Sequence, residues 1–169
     1  MDKEKRSKES LFTLYNYIMQ RLPQFPFILF YGSLLGYIRE GGFIEGDDDI
    51  DVLLPVRERN RLLYAIQRLS LSVTVNERGI IQTYVPNMGC VDIYFYEDRN
   101  LDILIPWDGN LLFSKQDIWP LKRVTFHGHK INIPYNSEKI LQETYRTNWR
   151  VPIKKDEYTW ESIHSVRKL

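Results

Sequence analysis

Four carboxylates fall within five residues at Asp47-Asp48-Asp49-Ile50-Asp51, and the chain then enters the apolar run Val52-Leu53-Leu54. Ionised acids this close repel one another, and the apolar run draws part of that repulsion out of water. The cheapest relief is a bound divalent cation, because hard cations such as Mg²⁺ take oxygen ligands and bridge to substrate phosphates. Side chains on a strand alternate between faces, so Asp49 and Asp51 point the same way with Ile50 and Val52 behind them. Two residues of strand span roughly 6.6 Å at ~3.3 Å per residue. Carboxylates at that separation hold one ion or clamp two ions about 3.5–4 Å apart.

Two further features point the same way. Tyr31-Gly32-Ser33 ends the apolar run Phe27-Ile28-Leu29-Phe30, and a Gly-Ser turn there presents backbone N–H groups suited to phosphate. Asp92 lies inside the apolar stretch Cys90-Val91-Asp92-Ile93-Tyr94-Phe95, where a buried acid needs a cation or hydrogen-bond donors. If that strand neighbours the one starting at Asp49, the three acids converge. An EF-hand loop is a poor fit: Val52 stands where that loop needs its turn glycine. His127 and His129 flank Gly128 with strand alternation, but with His164 the only other histidine and Cys90 the only cysteine, turn residues describe them better than zinc ligands.

A length of 169 residues predicts one domain spanning 1–169, with a frayed 1–9 and a C-terminal tail over 153–169. Net charge is +1, so no global basic field drives nucleic-acid binding. One cysteine excludes an internal disulfide and fits a reducing compartment. No stretch reaches the roughly 18 apolar residues of a membrane span, and the expected location is cytoplasmic. Lys154, Lys155, Arg167 and Lys168 read as a solvated tail; attraction to a membrane surface is the alternative, useful with a lipid-linked acceptor.

The spacing predicts helices over 9–22, 34–39 and 57–69, and one capped by Ser137 reaching about Tyr145. Strands are predicted over 27–31, 49–54, 73–75, 80–85 and 90–96, and a hairpin over 124–133 around the two histidines. An aromatic and polar loop is expected between Glu97 and Trp119. This order of elements argues for an α+β fold with a mixed central sheet.

Tyr31-Gly32-Ser33-Leu34-Leu35-Gly36-Tyr37-Ile38-Arg39, followed by Gly42 through Asp47-Asp48-Asp49-Ile50-Asp51-Val52, resembles the LicD/fukutin family of nucleotidyltransferase-fold proteins. The family pattern runs roughly G-[ST]-L-L-G-x-x-R-H-x-x-x-I-P-W-D-D-D-I-D. Two later blocks keep the family's order, Trp119 to Pro134 and Leu141 through Tyr145 to Trp149 and Pro152. The resemblance implies a polymerase-β-like nucleotidyltransferase fold, with a mixed central β-sheet flanked by helices. It also implies transfer of a phospho-alcohol such as phosphocholine, phosphoglycerol or phosphoribitol. The donor is a CDP-linked alcohol, the acceptor a hydroxyl of a glycan, lipid-linked sugar or glycoconjugate, and CMP is released.

On that resemblance Asp49 and Asp51 hold Mg²⁺ or Mn²⁺ on the pyrophosphate, with Asp92 as a further ligand or as base for the acceptor hydroxyl. Gly32 and Ser33 cradle phosphate, and Arg39 neutralises charge on the transferred group. Asp47 takes an outer or acceptor role. Lys122 and Arg123 either reach substrate phosphate or are solvated. Trp107, Trp119 and Trp149 either stack a base or sugar ring or pack locally. Glu40 replaces the family's His, Glu45-Gly46 its Pro-Trp, and Arg146 its Gly, which bears on specificity. Two other functions stay open: transfer of a nucleotide from an NTP with release of pyrophosphate, and a non-catalytic nucleotide- or sugar-binding module.

Overall fold

The computed structural model describes residues 8–107, 109–145 and 148–153, and the backbone of 167–168. Arg146, Lys154, Lys155 and His164 lie outside those residues, as do most of the expected tail and the first seven residues of the expected frayed end.

Asp49–Pro55 forms β2, whose residues beyond Asp49 are all buried. It pairs antiparallel with the short β1, Ile28–Leu29, and parallel with β5, Gly89–Arg99. A strand buried on both faces is apolar nearly throughout, which accounts for Val52-Leu53-Leu54 and makes Asp51 conspicuous there. Beyond β1 lie β9, His129–Ile133, and β8, Lys122–Phe126. The other flank of β5 carries β4, Ile80–Val85, with β3, Ser72–Glu77, outside it. The result is a mixed sheet, parallel at β2/β5 and β1/β9 and antiparallel elsewhere.

The helices are α1, Lys8–Arg21, α2, Tyr31–Glu40, α3, Arg59–Arg68, and α5, Ser137–Thr144, with the single turn α4, Lys115–Ile118. α1 buries Leu11, Leu14, Tyr15 and Ile18, at the i, i+3, i+4, i+7 spacing that lays one face of a helix on a core. Tyr15 meets Phe43 and Phe126 edge-on at 5.9 and 5.3 Å. Burial of each such side chain contributes roughly 1.5–3 kcal/mol.

The structure departs from the sequence expectations at several points: Lys8 and Glu9 of the expected frayed end are helical, and the strand expected over 27–31 is only Ile28–Leu29, with Tyr31 already in α2. The segment over 97–119 is not a loop: β5 overruns to Arg99 and continues through β6, Asp102–Ile105, and β7, Leu111–Ser114. Ile103, Ile105, Leu111 and Phe113 are buried there, and Phe113 meets Phe30 edge-on at 5.1 Å. Arg167–Lys168, expected in a tail, forms a two-residue strand, β10, on β7. Ser137 is the first residue of α5 rather than its cap, and its hydroxyl donates to the Pro134 carbonyl at 2.7 Å.

α2, which runs from Tyr31 to Glu40 rather than over the expected 34–39, ends on Gly41-Gly42. Gly41 takes φ 72°, and the N–H groups of Gly41 and Gly42 return to the carbonyls of Tyr37 and Gly36. This turn folds the following loop onto the helix so closely that a Cβ on Gly36 would lie 2.4 Å from the Gly42 carbonyl oxygen. Gly36→Ala is therefore expected to destabilise the protein by about 1–3 kcal/mol, read as a lowered denaturant midpoint. An unchanged midpoint would contradict the close approach.

Candidate active site

The parallel register of β2 and β5 sets Asp49 beside Cys90 and Asp51 beside Asp92. Alternation places Asp49, Asp51, Cys90 and Asp92 on one face, and β4 extends that face with Gln82 beside Asp92 and Tyr84 beside Cys90. One carboxylate oxygen from each of Asp49, Asp51 and Asp92 lies within 4.8 Å of the others. Asp51 and Asp92 are only 7 % and 6 % exposed, so water screens little of the repulsion between them.

Each buried acid has defined donors. Oδ2 of Asp51 accepts the N–H of Gly32 at 3.0 Å, and the backbone N–H of Asp51 donates to the Ser33 hydroxyl at 2.9 Å. Oδ1 of Asp92 accepts from the Gln82 amide at 2.9 Å and the Cys90 thiol at 3.3 Å. These bonds do not offset burial. Burial, then Asp49, Asp92 and Asp47, holds the Asp51 carboxyl well above the ordinary carboxylate range, against the Gly32 bond. Burial likewise raises Asp92 against its two donors. Burial, then Asp51, Asp92, Tyr31 and Asp49, pushes up the hydroxyl of Tyr94, next but one along β5.

Gly32 and Ser33 form the first turn of α2 rather than a separate turn. Phe30 is extended, Tyr31 has φ 40°, and the carboxylate of Asp51 takes an N–H at the helix start where no side-chain cap is present. A Cβ on Gly32 would come within 3.0 Å of Asp51 Oδ2 and 3.6 Å of Asp47 Oδ2, so glycine lets this helix start sit against the acids. The positive end of the helix faces them. Among the described residues no ion pair reaches Asp51 or Asp92. Three oxygen donors, two of them buried and pushed up first by that burial, with neighbouring acids adding to it at Asp51, fit a hard divalent cation. Asp49, Asp51 and Asp92 are the residues that would hold it.

Other candidates lie farther off. Arg39 stands seven residues along α2 from Gly32, roughly 10 Å by helix rise. Its guanidinium is bonded to Glu40 at 2.9 Å and to the Trp149 carbonyl at 3.1 Å. Lys122 and Arg123 sit on β8, three strands from β2 and so about 14 Å away at strand spacing. Lys122 lies over the Tyr135 ring and Arg123 donates to Asn132. Trp149 is buried in the core and Trp119 meets Tyr96 edge-on, while Trp107 is half-buried against the core. His127 stacks on Phe43 and accepts its N–H at 3.3 Å, and His129 bonds Asn16 at 2.7 Å, so both serve packing. Gln82, absent from the sequence-based candidates, was signalled only by being an amide at an alternate position of an apolar strand.

The fold is that of nucleotidyltransferases. The lincosamide antibiotic adenylyltransferase LnuA, in its lincomycin-bound crystal structure, superposes with a TM-score of 0.58 at 13 % identity, covering 91 % of this chain and 93 % of that one. The antibiotic-resistance factor ANT(2'')-Ia superposes at 0.56 and 14 % in its solution structure, over 75 % of this chain and 66 % of that one. Its complex with adenylyl-2''-tobramycin gives 0.54 and 14 %, over 73 % and 68 %. Residues 24–136, more than half of the chain, match the family model described as LicD/FKTN/FKRP, nucleotidyltransferase domain, and the protein belongs to that family. No curated protein matches it in sequence. Both the family and the structural neighbours point to a transferase. Among the described residues no helix is long and apolar enough to cross a membrane.

The raised carboxyls set a pH dependence. The folded state keeps protons on Asp51 and Asp92 that the unfolded chain releases near pH 3.9, so metal-free stability falls as pH rises from about 4 through the folded values. Melting temperature in chelator is expected to drop over that window, and Mn²⁺ is expected to restore it at neutral pH. A melting temperature indifferent to both pH and Mn²⁺ would contradict the electrostatics described.

Proposed function

We propose that this protein transfers a phospho-alcohol from a CDP-linked donor to a hydroxyl of a glycan or glycoconjugate, releasing CMP. The convergence of Asp49, Asp51 and Asp92 beside the start of α2, in a chain of this family, carries the proposal. The acceptor oxygen forms a bond to the phosphorus bearing the alcohol, and the bond from that phosphorus to the bridging oxygen breaks. CMP leaves with that oxygen and its electron pair, and the product is a phosphodiester.

The residues of this chain contribute position and proton handling. Asp49 and Asp51 fix the pyrophosphate side of the site from adjacent positions of one strand face. The Gly32 N–H is held by Asp51, and the positive end of α2, with Ser33 packed beneath it, is turned toward the phosphate oxygens. Asp92, one strand over, takes the proton of the acceptor hydroxyl or shares in holding the cation. Mg²⁺ or Mn²⁺, when bound, supplies charge neutralisation at the transferred phosphoryl group. Asp47, beside Gly32, lines the acceptor side. Arg39, fixed by Glu40 and the Trp149 carbonyl, braces α2 in this scheme.

The fold shared with LnuA, named an adenylyltransferase, favours a second reaction: transfer of NMP from an NTP to a small molecule, with release of pyrophosphate. The leaving product separates the two. The protein, incubated with Mn²⁺ and CDP-choline, CDP-glycerol, CDP-ribitol, CTP or ATP, is expected to bind one CDP-alcohol in preference to the triphosphates and to release CMP. Preference for a triphosphate with pyrophosphate release would overturn that expectation. Asp49→Asn and Asp51→Asn are expected to lower turnover by at least about 10³-fold while the protein stays folded. Retained turnover in either variant would exclude metal-assisted transfer at this cluster.

A further inference from the structure

Asp92 differs from its neighbours in how its two oxygens are used. Oδ1 takes both side-chain donors, the Gln82 amide at 2.9 Å and the Cys90 thiol at 3.3 Å. Among the described residues no hydrogen bond reaches Oδ2. Gln82 comes from β4, directly across the antiparallel ladder from Asp92, and Cys90 precedes Asp92 by two residues on the same face. Two strands thus pin one oxygen and fix the plane of the carboxylate. The other oxygen is left to the cluster.

The chemistry of the donor at 82 matters as much as its reach. A lysine or arginine there would satisfy Oδ1 equally well but would also neutralise Asp92, competing with any cation for the cluster. A carboxylate would add to the repulsion. An amide donates a hydrogen bond, carries no charge and does not titrate. It is the side chain that orients an acid while leaving its full charge available to a cation.

We propose that Gln82 is a positioning residue for Asp92, supported by Cys90, holding Oδ1 so that Oδ2 faces the cation or the proton of the acceptor hydroxyl. This inference rests on the metal-assisted reading of the cluster. Neither residue touches substrate in this scheme; both act through Asp92.

Calorimetric titration with Mn²⁺ alone, with no nucleotide present, tests it apart from turnover. Gln82→Met keeps the length and apolar stem and removes the donor. It is expected to weaken Mn²⁺ binding roughly 10–100-fold with the melting temperature of the metal-free protein little changed, as Gln82 is half-buried. Gln82→Lys is expected to abolish Mn²⁺ binding and to raise the metal-free melting temperature, because the ammonium becomes the counter-charge. A purely structural role would lower stability in both variants and spare Mn²⁺ affinity. Cys90→Ser, which keeps a donor, is expected to retain more affinity than Cys90→Ala, and this pair reads the second donor independently. Wild-type protein that binds Mn²⁺ while Gln82→Met binds it as tightly would overturn this proposal alone. Wild-type protein that does not bind Mn²⁺ would overturn the metal-assisted reading as well.

Discussion

The parallel pairing of β2 with β5 is the constraint on which the rest of the site depends. Ladder hydrogen bonds fix Asp51 opposite Asp92 to a single register, and a slip of one residue would turn Asp92 to the other face. The apolar residues between the acids prevent that slip. Ile50, Val52 and Leu54 are buried behind the carboxylates, beside Val91, Ile93 and Phe95 of β5. Packing free energy therefore holds together charges that would separate if left to themselves. Burial raises both Asp51 and Asp92, neighbouring acids add to it at Asp51, and a cation held between the carboxylates would relieve both effects.

The start of α2 is the second element fixed to that pair. β1 delivers the chain to Tyr31, and the helix opens at once with its Gly32 N–H on Asp51. Helix start and acids are thus one unit rather than neighbours by chance. At its far end α2 is tied down by Arg39, through Glu40 and the Trp149 carbonyl. Glu40 is one of the positions at which this chain departs from the family pattern, and it engages the arginine that the pattern places next to it. The departure thus acts on how α2 is anchored, some 10 Å by helix rise from the carboxylates.

Much of the fold was legible because local pattern and tertiary role coincide in it. The Leu11–Leu22 periodicity, the apolar runs of β2 and β5 and the Gly41-Gly42 stop each carry their signal within a few residues. The convergence of Asp49, Asp51 and Asp92 needed only the adjacency of two strands. Other features depend on pairings that no local window contains. Glu97-Asp98-Arg99 looks like loop, yet these residues continue β5 because β6 pairs with them. Gly32-Ser33 reads as a turn by composition but is helical, and the carboxylate of Asp51, nineteen residues away, accepts the Gly32 N–H that Phe30 at the cap position leaves without a side-chain partner. The role argued for Gln82 depends on cross-strand register with Asp92, which composition cannot reveal. Lys122 and Arg123 share a charge suited to phosphate, but topology sets them three strands from the acids.

The central claim is that Asp49, Asp51 and Asp92 form one divalent-cation site. Crystals soaked in Mn²⁺, with data collected at the manganese absorption edge, test it most directly. The account predicts an anomalous peak on the sheet face between β2 and β5, within coordination distance of oxygens from all three carboxylates. A peak elsewhere, or none at millimolar Mn²⁺, would contradict it.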